Sequence, residues 1–513
     1  MRLIHTSTLQ FSDFLGSTIP KYAILSHVWS DSEVSYEDFL AGRKQDGYGY
    51  QKIVKLCEFA RKKHDLQWAW IDTCCIDKRS SAELSEAINS MFEWYLKSTI
   101  CLVFLSDVHE LSQHDPGDIV QLQNHYKPSP TRTSSFEDVR STFTRLKVYT
   151  DGASFVKSGE FVPFAAEEFL ASKWFTRGWT LQELIAPHAI DFYNTSFQKI
   201  GHCNKSTSVN PQSSEIKELS LHFLVQEATS ISFEMLWAPR RGKPCIAQRM
   251  SWAAKRTTTR PEDMAYCLLG LFDVNMPLLY GEGGEKAFER LQLEMLSRST
   301  DQSLFMWKSD ASQYYQQENF NLRWNGFSLL ASGPAPFAKC KEAAMEDEYN
   351  THLAGHVLPQ AVFTRTQRGL ETKILLPDGL APRLGDNFWL LYPLRCKLDA
   401  NSASCYLAIY VGVRHNAHKI YYADGALRAR GAVVLQFSPR EERRILQDVF
   451  GDPQFNIDSL VTMARPGHTL KTAQDILPPH RKAWYTLRNH VPTQKIKLYF
   501  PPDAEMGEPL PNS

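Results

Sequence analysis

Apolar runs and amphipathic stretches alternate over the first 200 residues. Short apolar runs predict buried strands at 22–25, 68–72, 99–105 and 189–193. Between them, apolar residues recur every three to four positions and predict helices at 51–64, 81–95 and 171–185. Because strands separated by helices favour parallel pairing, we expect an α/β fold with a parallel sheet and helices on both of its faces.

The alternation stops in two places. Residues 107–161 are rich in Ser and Thr and hold no clear period, which predicts a long surface insertion. From about 215 to 300 the pattern is helical, and after about 305 short apolar runs are separated by Gly, Asp, Asn and Pro. We therefore predict an α/β domain over 1–200, a helical extension over 201–305 and a β-rich C-terminal domain over 306–513. The runs that predict strands in the last of these are 370–376, 387–393, 405–413, 419–422 and 431–437.

Composition narrows the classes of function. The chain has 513 residues, of which 43% are hydrophobic, which suffices for folded cores and excludes a mostly disordered protein. Lys plus Arg and Asp plus Glu both total 57, and this balance favours no nucleic-acid partner. The ten cysteines show no repeated C-x-x-C spacing, so we expect no metal site. The longest apolar strand-like run is far too short to cross a bilayer and the N-terminus lacks a secretory signal, so we expect a cytoplasmic protein without a membrane span.

Unusual polar and aromatic residues follow the predicted strands. In an open parallel sheet, ligands bind beyond the carboxyl ends of the strands, where segments 26–29 and 72–78 are expected to lie. In a third segment, 174–184, Trp179 and Glu183 are four residues apart and would share one helix face. Taken singly, each candidate also has a structural interpretation: Trp29 as a core aromatic, Asp72 as a turn acceptor and Glu183 as a surface residue. The candidate site residues are Ser26, His27, Trp29, Asp72, Thr73, Asp77, Trp179 and Glu183.

Taken together, these segments resemble the signature blocks of the fungal heterokaryon incompatibility domain. The blocks are YAILSHVW at 22–29, WIDTCCIDK at 70–78 with SAELSEAINSMF at 81–92, and WFTRGWTLQELIAP at 174–187. Two departures stand out: Ser30 occupies the place where the family usually has Gly, and the insertion at 107–161 is longer than usual. Segments 248–253, 260–270 and 275–283 resemble the family's helical extension, and we expect a stand-alone member without the further domains of the large forms.

That family in turn looks like a relative of Toll/interleukin-1-receptor-type (TIR-type) domains, which implies a TIR- or flavodoxin-like sheet. Catalytic members of that superfamily carry a Trp four residues before a glutamate, as Trp179 and Glu183 stand here. The resemblance implies that Glu183 is the catalytic residue of an NAD glycohydrolase, with the other candidates binding substrate. NAD would be the substrate, and no cofactor is expected. A carboxylate beside the ribose would stabilise the oxocarbenium-like transition state.

The resemblance implies a protein of heterokaryon incompatibility, non-self recognition and cell-death signalling. Two mechanisms stay open: cleavage of NAD at the nicotinamide–ribose bond, and a non-enzymatic module that acts through self-association and protein partners. A third interpretation is a diverged member with a regulatory role in the cell. Enzyme activity is therefore left undecided by the sequence.

Overall fold

A computed structural model of the whole chain describes residues 1–110, 166–205, 221–237, 244–307 and 330–345, and beyond these the strands whose bounds follow. The chain divides into two compact units, Met1–Lys243 with Lys255–Gly281, and Pro244–Ala254 with Glu282–Ser513. Most of the predicted insertion, from residue 111 onward, lies outside the described residues. The predicted domain boundaries near 200 and 305 stay predictions.

The first unit is built on a sheet of seven strands. They are β1 (Arg2–His5), β2 (Phe11–Asp13), β3 (Tyr22–His27), β4 (Trp68–Trp70), β5 (Ile100–Phe104), β6 (Ile190–Tyr193) and β7 (Lys199–His202). The helices of both units, in chain order, are α1 (Tyr36–Leu40), α2 (Tyr48–His64), α3 (Ser81–Lys97), α4 (Ala166–Ala171), α5 (Thr180–Ile185), α6 (His222–Thr229), α7 (Phe233–Trp237), α8 (Ile246–Ala253), α9 (Asp263–Tyr266) and α10 (Gly284–Arg298). Of these, α8 and α10 belong to the second unit.

The sheet has a parallel centre and antiparallel edges. Its order is β2-β1-β4-β3-β5-β6-β7, and the four central strands β4, β3, β5 and β6 pair in parallel. The outer strands β1, β2 and β7 pair antiparallel. The predicted α/β class is confirmed, and the chain reverses its direction of strand addition between β3 and β5. In doubly wound sheets such a reversal opens a crevice at the carboxyl ends of the strands.

Burial explains why the central strands carry no polar alternation. Every residue of β3 and of β5 is buried, as expected of parallel strands that are covered on both faces. On one flank, α3 begins at Ser80, whose hydroxyl accepts a hydrogen bond from the Glu83 amide, and it buries the apolar stripe that predicted it.

The prediction of one continuous helix over 171–185 is wrong. The chain forms α4, then a 3-10 turn at Lys173–Thr176, and begins α5 only at Thr180. Between them the backbone pairs with another segment: the Thr257 amide donates to the Thr176 carbonyl at 2.7 Å and the Gly178 amide donates to the Thr257 carbonyl at 2.8 Å. These bonds take groups that a continuous helix would use internally.

The second unit contains α8, α10 and further strands. The strands are β8 (Ala344–Met345), β9 (Thr364–Thr366), β10 (Gly369–Pro377), β11 (Asn387–Leu394), β12 (Cys396–Lys397), β13 (Cys405–His415), β14 (Tyr421–Asp424), β15 (Val433–Gln436) and β16 (Thr493–Phe500). Five of them coincide with the runs that predicted strands, and all but one of their pairings are antiparallel. Among the described residues, none of the helices has the length and apolar character needed to span a membrane.

Candidate functional site

Consecutive residues at the end of β3 divide the candidate site into two clusters. Side chains alternate between the faces of a strand, so Ser26 and His27 face opposite ways. Ser26 contacts Glu183 on α5, and His27 contacts Asp72, which follows β4. We call the group around Glu183 the inner cluster and the group around Asp72 the outer cluster.

The inner cluster is a series of linked hydrogen bonds between buried side chains. The Trp174 Nε1–H donates to Ser26 Oγ at 2.7 Å, and the Ser26 hydroxyl donates to Glu183 Oε2. The Tyr95 hydroxyl also contacts the Glu183 carboxyl, and its own proton goes to the Leu25 carbonyl at 2.8 Å.

Burial and charge agree with a protonated Glu183. The residue is 7% exposed. Burial, reinforced by the negative charge of Asp72, raises the pKa of Glu183 to about 8, although the hydrogen bonds with Ser26 and Tyr95 and the charge of Arg177 lower it. At neutral pH the Glu183 carboxyl is therefore mostly neutral, and it becomes a carboxylate only at higher pH or beside a new positive charge.

The outer cluster surrounds an ionised carboxylate. Trp29 Nε1–H donates to Asp72 Oδ2 at 2.8 Å, and His27 Nε2 lies 3.2 Å from Asp72 Oδ1. Burial alone would raise the pKa of Asp72, but the hydrogen bonds from His27 and Trp29 and the positive charge of Lys78 lower it. Glu183 and Asp72 are thus two carboxyl groups whose environments push their pKa values apart, an arrangement typical of acid–base sites.

A buried lysine supports the outer cluster from α2. The Lys52 side chain is 2% exposed, and its Nζ lies 2.6 Å from His27 Nδ1 and pairs with the Glu33 carboxylate. Because Lys52 donates to Nδ1, the proton of His27 is placed on Nε2, facing Asp72. Burial lowers the pKa of Lys52, while Glu33 opposes that change. This network fixes the loop after β3, which carries both Trp29 and Glu33.

Trp29 is the most open aromatic of the outer cluster. It is 49% exposed, so it is not the core aromatic that its type would favour. Its indole is held edge-on by Asp72, and the Lys78 Nζ lies 3.5 Å from the ring centroid. The ring of Trp29 is thereby already in contact with a cation through its face.

Three predicted site residues form no hydrogen bond with Glu183 or Asp72 in the part of the chain that the structure describes. The Thr73 hydroxyl is buried and, within the described part of the chain, has no hydrogen-bond partner. Asp77 pairs with Arg79, whose hydrogen bonds lower the pKa of Asp77 to about 2. Trp179 precedes α5 and hydrogen-bonds the Asp263 carboxylate, whereas Glu183 contacts Ser26. The substrate-binding roles of all three stay predictions.

Sequence reasoning missed four residues of the two clusters. Tyr95 and Trp174 were assigned only to a helix stripe and to a segment, since an aromatic residue gives no sign of a polar partner. Nothing in the sequence indicates that Glu33 belongs to the site. The position of Lys52 does indicate a buried partner: it lies four residues before Leu56 and so falls on the apolar stripe of α2, where an unpaired lysine is not tolerated.

Metal chemistry finds no support in the ranges that the structure describes. No group of three or more His, Cys, Asp or Glu residues there is arranged to hold a metal ion. The nine cysteines described are all buried and free, and burial raises the pKa of thiols such as Cys57 to about 12. These thiols therefore behave as small apolar groups.

Comparison with known proteins covers the same region. The model of the family "Heterokaryon incompatibility protein (HET)" matches residues 22–183, and that of a domain of unknown function, DUF8212, matches residues 286–378. The vegetative incompatibility protein HET-E-1 of Podospora anserina is 38% identical over 286 residues, which are 55% of this chain. The chain spans only 16% of the length of that relative. No solved structure matches the chain significantly.

Proposed function

We propose that this protein acts in non-self recognition between fungal cells and that the region matched by the heterokaryon incompatibility family model, residues 22–183, cleaves NAD to signal cell death. The similarity to a vegetative incompatibility protein supports the biological process. The chemistry is supported by one observation above all: a buried carboxyl group, Glu183, held by Ser26 at the carboxyl end of a central parallel strand.

The proposed reaction breaks the bond between nicotinamide and ribose. The electron pair of that bond leaves with the nicotinamide nitrogen, which neutralises the pyridinium, so no general acid is needed. The ribose C1′ becomes oxocarbenium-like, and a water molecule adds to it and loses a proton. A carboxylate beside C1′ stabilises the positive charge, and this role falls to Glu183.

The protonation state of Glu183 is consistent with that role only when the substrate is bound. A neutral carboxyl cannot stabilise a cation, but a positive charge nearby favours its ionised form. The pyridinium ring of NAD carries such a charge, and we assign its stacking to the half-exposed ring of Trp29, whose face Lys78 already contacts. Asp72, ionised and 18% exposed at its side chain, adds a second negative charge at the mouth of the site.

A second candidate function is a non-enzymatic module that signals through self-association. It is favoured by the burial of Glu183 and by its hydrogen bonds with Ser26 and Tyr95, because a carboxyl group with a purely structural role would have the same surroundings. This candidate assigns the activity to the surface, where Leu15 and Leu40 are exposed apolar residues.

One experiment separates the two. The purified full-length chain is incubated with NAD, dilute and with a crowding agent, and free nicotinamide is measured for wild type, Glu183→Gln and the matched control Glu86→Gln. Glu86 is an exposed glutamate on α3. If the protein cleaves NAD through Glu183, wild type and Glu86→Gln release nicotinamide and Glu183→Gln does not. If Glu183→Gln kills cells as wild type does, while Leu15→Asp with Leu40→Asp does not, the enzymatic proposal is wrong and the module is supported.

A further inference from the structure

A segment outside the matched domain region pairs with the start of α5. Thr257 forms an isolated parallel bridge with Arg177, with backbone bonds of 2.7 Å to Thr176 and 2.8 Å to Gly178. Residues 255–281 belong to the same compact unit as α5, although they follow the region 22–183 that the family model matches. The helix that carries Glu183 is therefore held from a later part of the chain.

The close approach depends on the absence of a side chain at Gly178. A Cβ at this position would lie 2.5 Å from the Thr258 Cγ2 and 3.1 Å from the Cys267 Sγ. Real Cβ atoms essentially never come closer than 3.0 Å to another heavy atom, so a side chain at residue 178 would force Thr258 to shift. Both segments therefore contribute to this contact, Gly178 by its lack of a side chain and Thr257 by its backbone hydrogen bonds.

Arg256 places a buried charge at the same point. The residue is 5% exposed, and its Nη1 donates to the Arg177 carbonyl at 2.8 Å and to the Thr180 Oγ1 at 2.9 Å. A buried guanidinium is costly unless its donors are used. Here Nη1 binds Thr180, the first residue of α5, and the carbonyl of Arg177 just before it. At six residues α5 is too short to be stable alone.

We propose that Arg256 is a positioning residue of the candidate site, which fixes the start of α5 and so places the Glu183 carboxyl one turn later. A second series of hydrogen bonds connects Thr180, the residue that Arg256 binds, with Ser26, the hydrogen-bond partner of Glu183. The Thr180 hydroxyl donates to the Trp174 carbonyl, and the indole of Trp174 holds Ser26 against Glu183. The loss of Arg256 therefore loosens both the helix and the hydrogen-bonded partner of the carboxyl.

Arg256 also acts on Glu183 through its charge. Burial lowers the pKa of Arg256 to about 10, which is still well above neutral, so the guanidinium stays positive at neutral pH. The ionisable or charged groups facing Glu183 from the surrounding elements are Asp72 after β4, Tyr95 on α3, Cys101 on β5, Arg177 before α5, and Arg256. Arg256 and Arg177 are the positive members of this set.

The test uses the full chain and does not require any NAD cleavage. Arg256→Met removes the charge and the bonds, and Arg256→Lys keeps the charge. Thr180→Val removes the hydroxyl that accepts from Arg256 and donates to the Trp174 carbonyl. Lys255→Met is the matched control, since Lys255 is the exposed neighbour with the same charge. Hydrogen exchange of the peptide over residues 177–187 is measured, together with the pH midpoint of the Glu183-dependent part of stability, obtained by comparing each variant with and without Glu183→Gln.

We expect Arg256→Met to accelerate exchange over residues 177–187 by roughly 10- to 100-fold, because hydrogen bonds from a charged group are lost. It also raises the Glu183 midpoint by about one pH unit, as expected when an opposite charge is removed. Arg256→Lys restores the midpoint but not the full protection, and Lys255→Met changes neither. If Arg256→Met does not fold, Thr180→Val tests the same contact. We expect Thr180→Val to accelerate exchange over residues 177–187, and exchange at the wild-type rate refutes the proposal.

Two results overturn the inference: an unchanged midpoint in Arg256→Met, or equal effects of Arg256→Met and Lys255→Met. The catalytic part rests on the proposed NAD cleavage, for which Arg256→Met is expected to lower kcat with little change in KM. If wild type releases no nicotinamide, the proposed function fails while exchange and midpoint still decide the role of Arg256.

Discussion

Glu183→Gln is expected to stabilise the folded chain at alkaline pH. In the unfolded chain this carboxyl ionises above its ordinary pKa of 4.5, whereas in the folded protein it keeps its proton up to about pH 8. Between these values the folded state binds more protons than the unfolded state, so the free energy of unfolding falls as pH rises. The decline stops above pH 8, where the carboxyl is ionised in both states.

The size of this effect follows from the two pKa values. A difference between 4.5 and about 8 corresponds to about 5 kcal/mol once both states are ionised. About 1 kcal/mol of this is lost already at pH 5 and about 3 kcal/mol at pH 7. The glutamine side chain keeps the carbonyl that accepts from Ser26 but cannot ionise, so the variant lacks this loss. Relative to wild type it should gain about 4 kcal/mol between pH 5 and pH 8.5.

Urea unfolding followed by tryptophan fluorescence measures this difference at several pH values. A constant offset between variant and wild type reports only the fit of the amide, so the slope with pH carries the test. Glu86→Gln, which changes an exposed glutamate, should give a flat difference over the same range. A flat difference for Glu183→Gln, or one that falls as pH rises, would refute a protonated Glu183.

Three further predictions concern the packing and the mouth of the site. Lys52→Met should lower the free energy of unfolding in urea by about 3–5 kcal/mol because it leaves the Glu33 carboxylate without its buried partner, and adding Glu33→Gln should restore most of it. Gly270→Ala should cost about 1–3 kcal/mol in the same assay, since its Cβ would overlap the Phe92 side chain, and wild-type stability would contradict this. Trp29→Leu should raise the KM for NAD severalfold in the nicotinamide-release assay with stability nearly unchanged, because the ring is half exposed; an unchanged KM would exclude stacking on it.

The central strands were predictable because burial on both faces leaves a plain apolar run. β3 and β5 have that character, and their predicted positions agree with the structure within two residues at either end. The antiparallel edge strands β1, β2 and β7 were not predicted, since each has three or four residues and only a partly apolar pattern. Short edge strands depend on the sheet beside them more than on their own sequence.

The candidate site was predictable to the extent that topology decides it. Ser26 and Asp72 end neighbouring parallel strands, so their proximity follows from the α/β class. The break in the helix before Glu183 was not predictable, because its cause is the pairing with Thr257, far away in sequence. Local spacing therefore indicated a shared face for Trp179 and Glu183, while tertiary contacts gave the two side chains different partners.

The two carboxyl groups together favour a cationic ligand over a neutral or anionic one. The charge of Asp72 is one of the causes that keep Glu183 protonated, so only one of these two acids carries a negative charge at neutral pH. A cation bound between them would cancel that repulsion and allow Glu183 to ionise, and a proton would leave as the ligand enters. An anion would strengthen the repulsion and keep Glu183 neutral. In NAD, the pyridinium ring rather than the diphosphate is therefore the part that this pair of carboxyls is suited to receive.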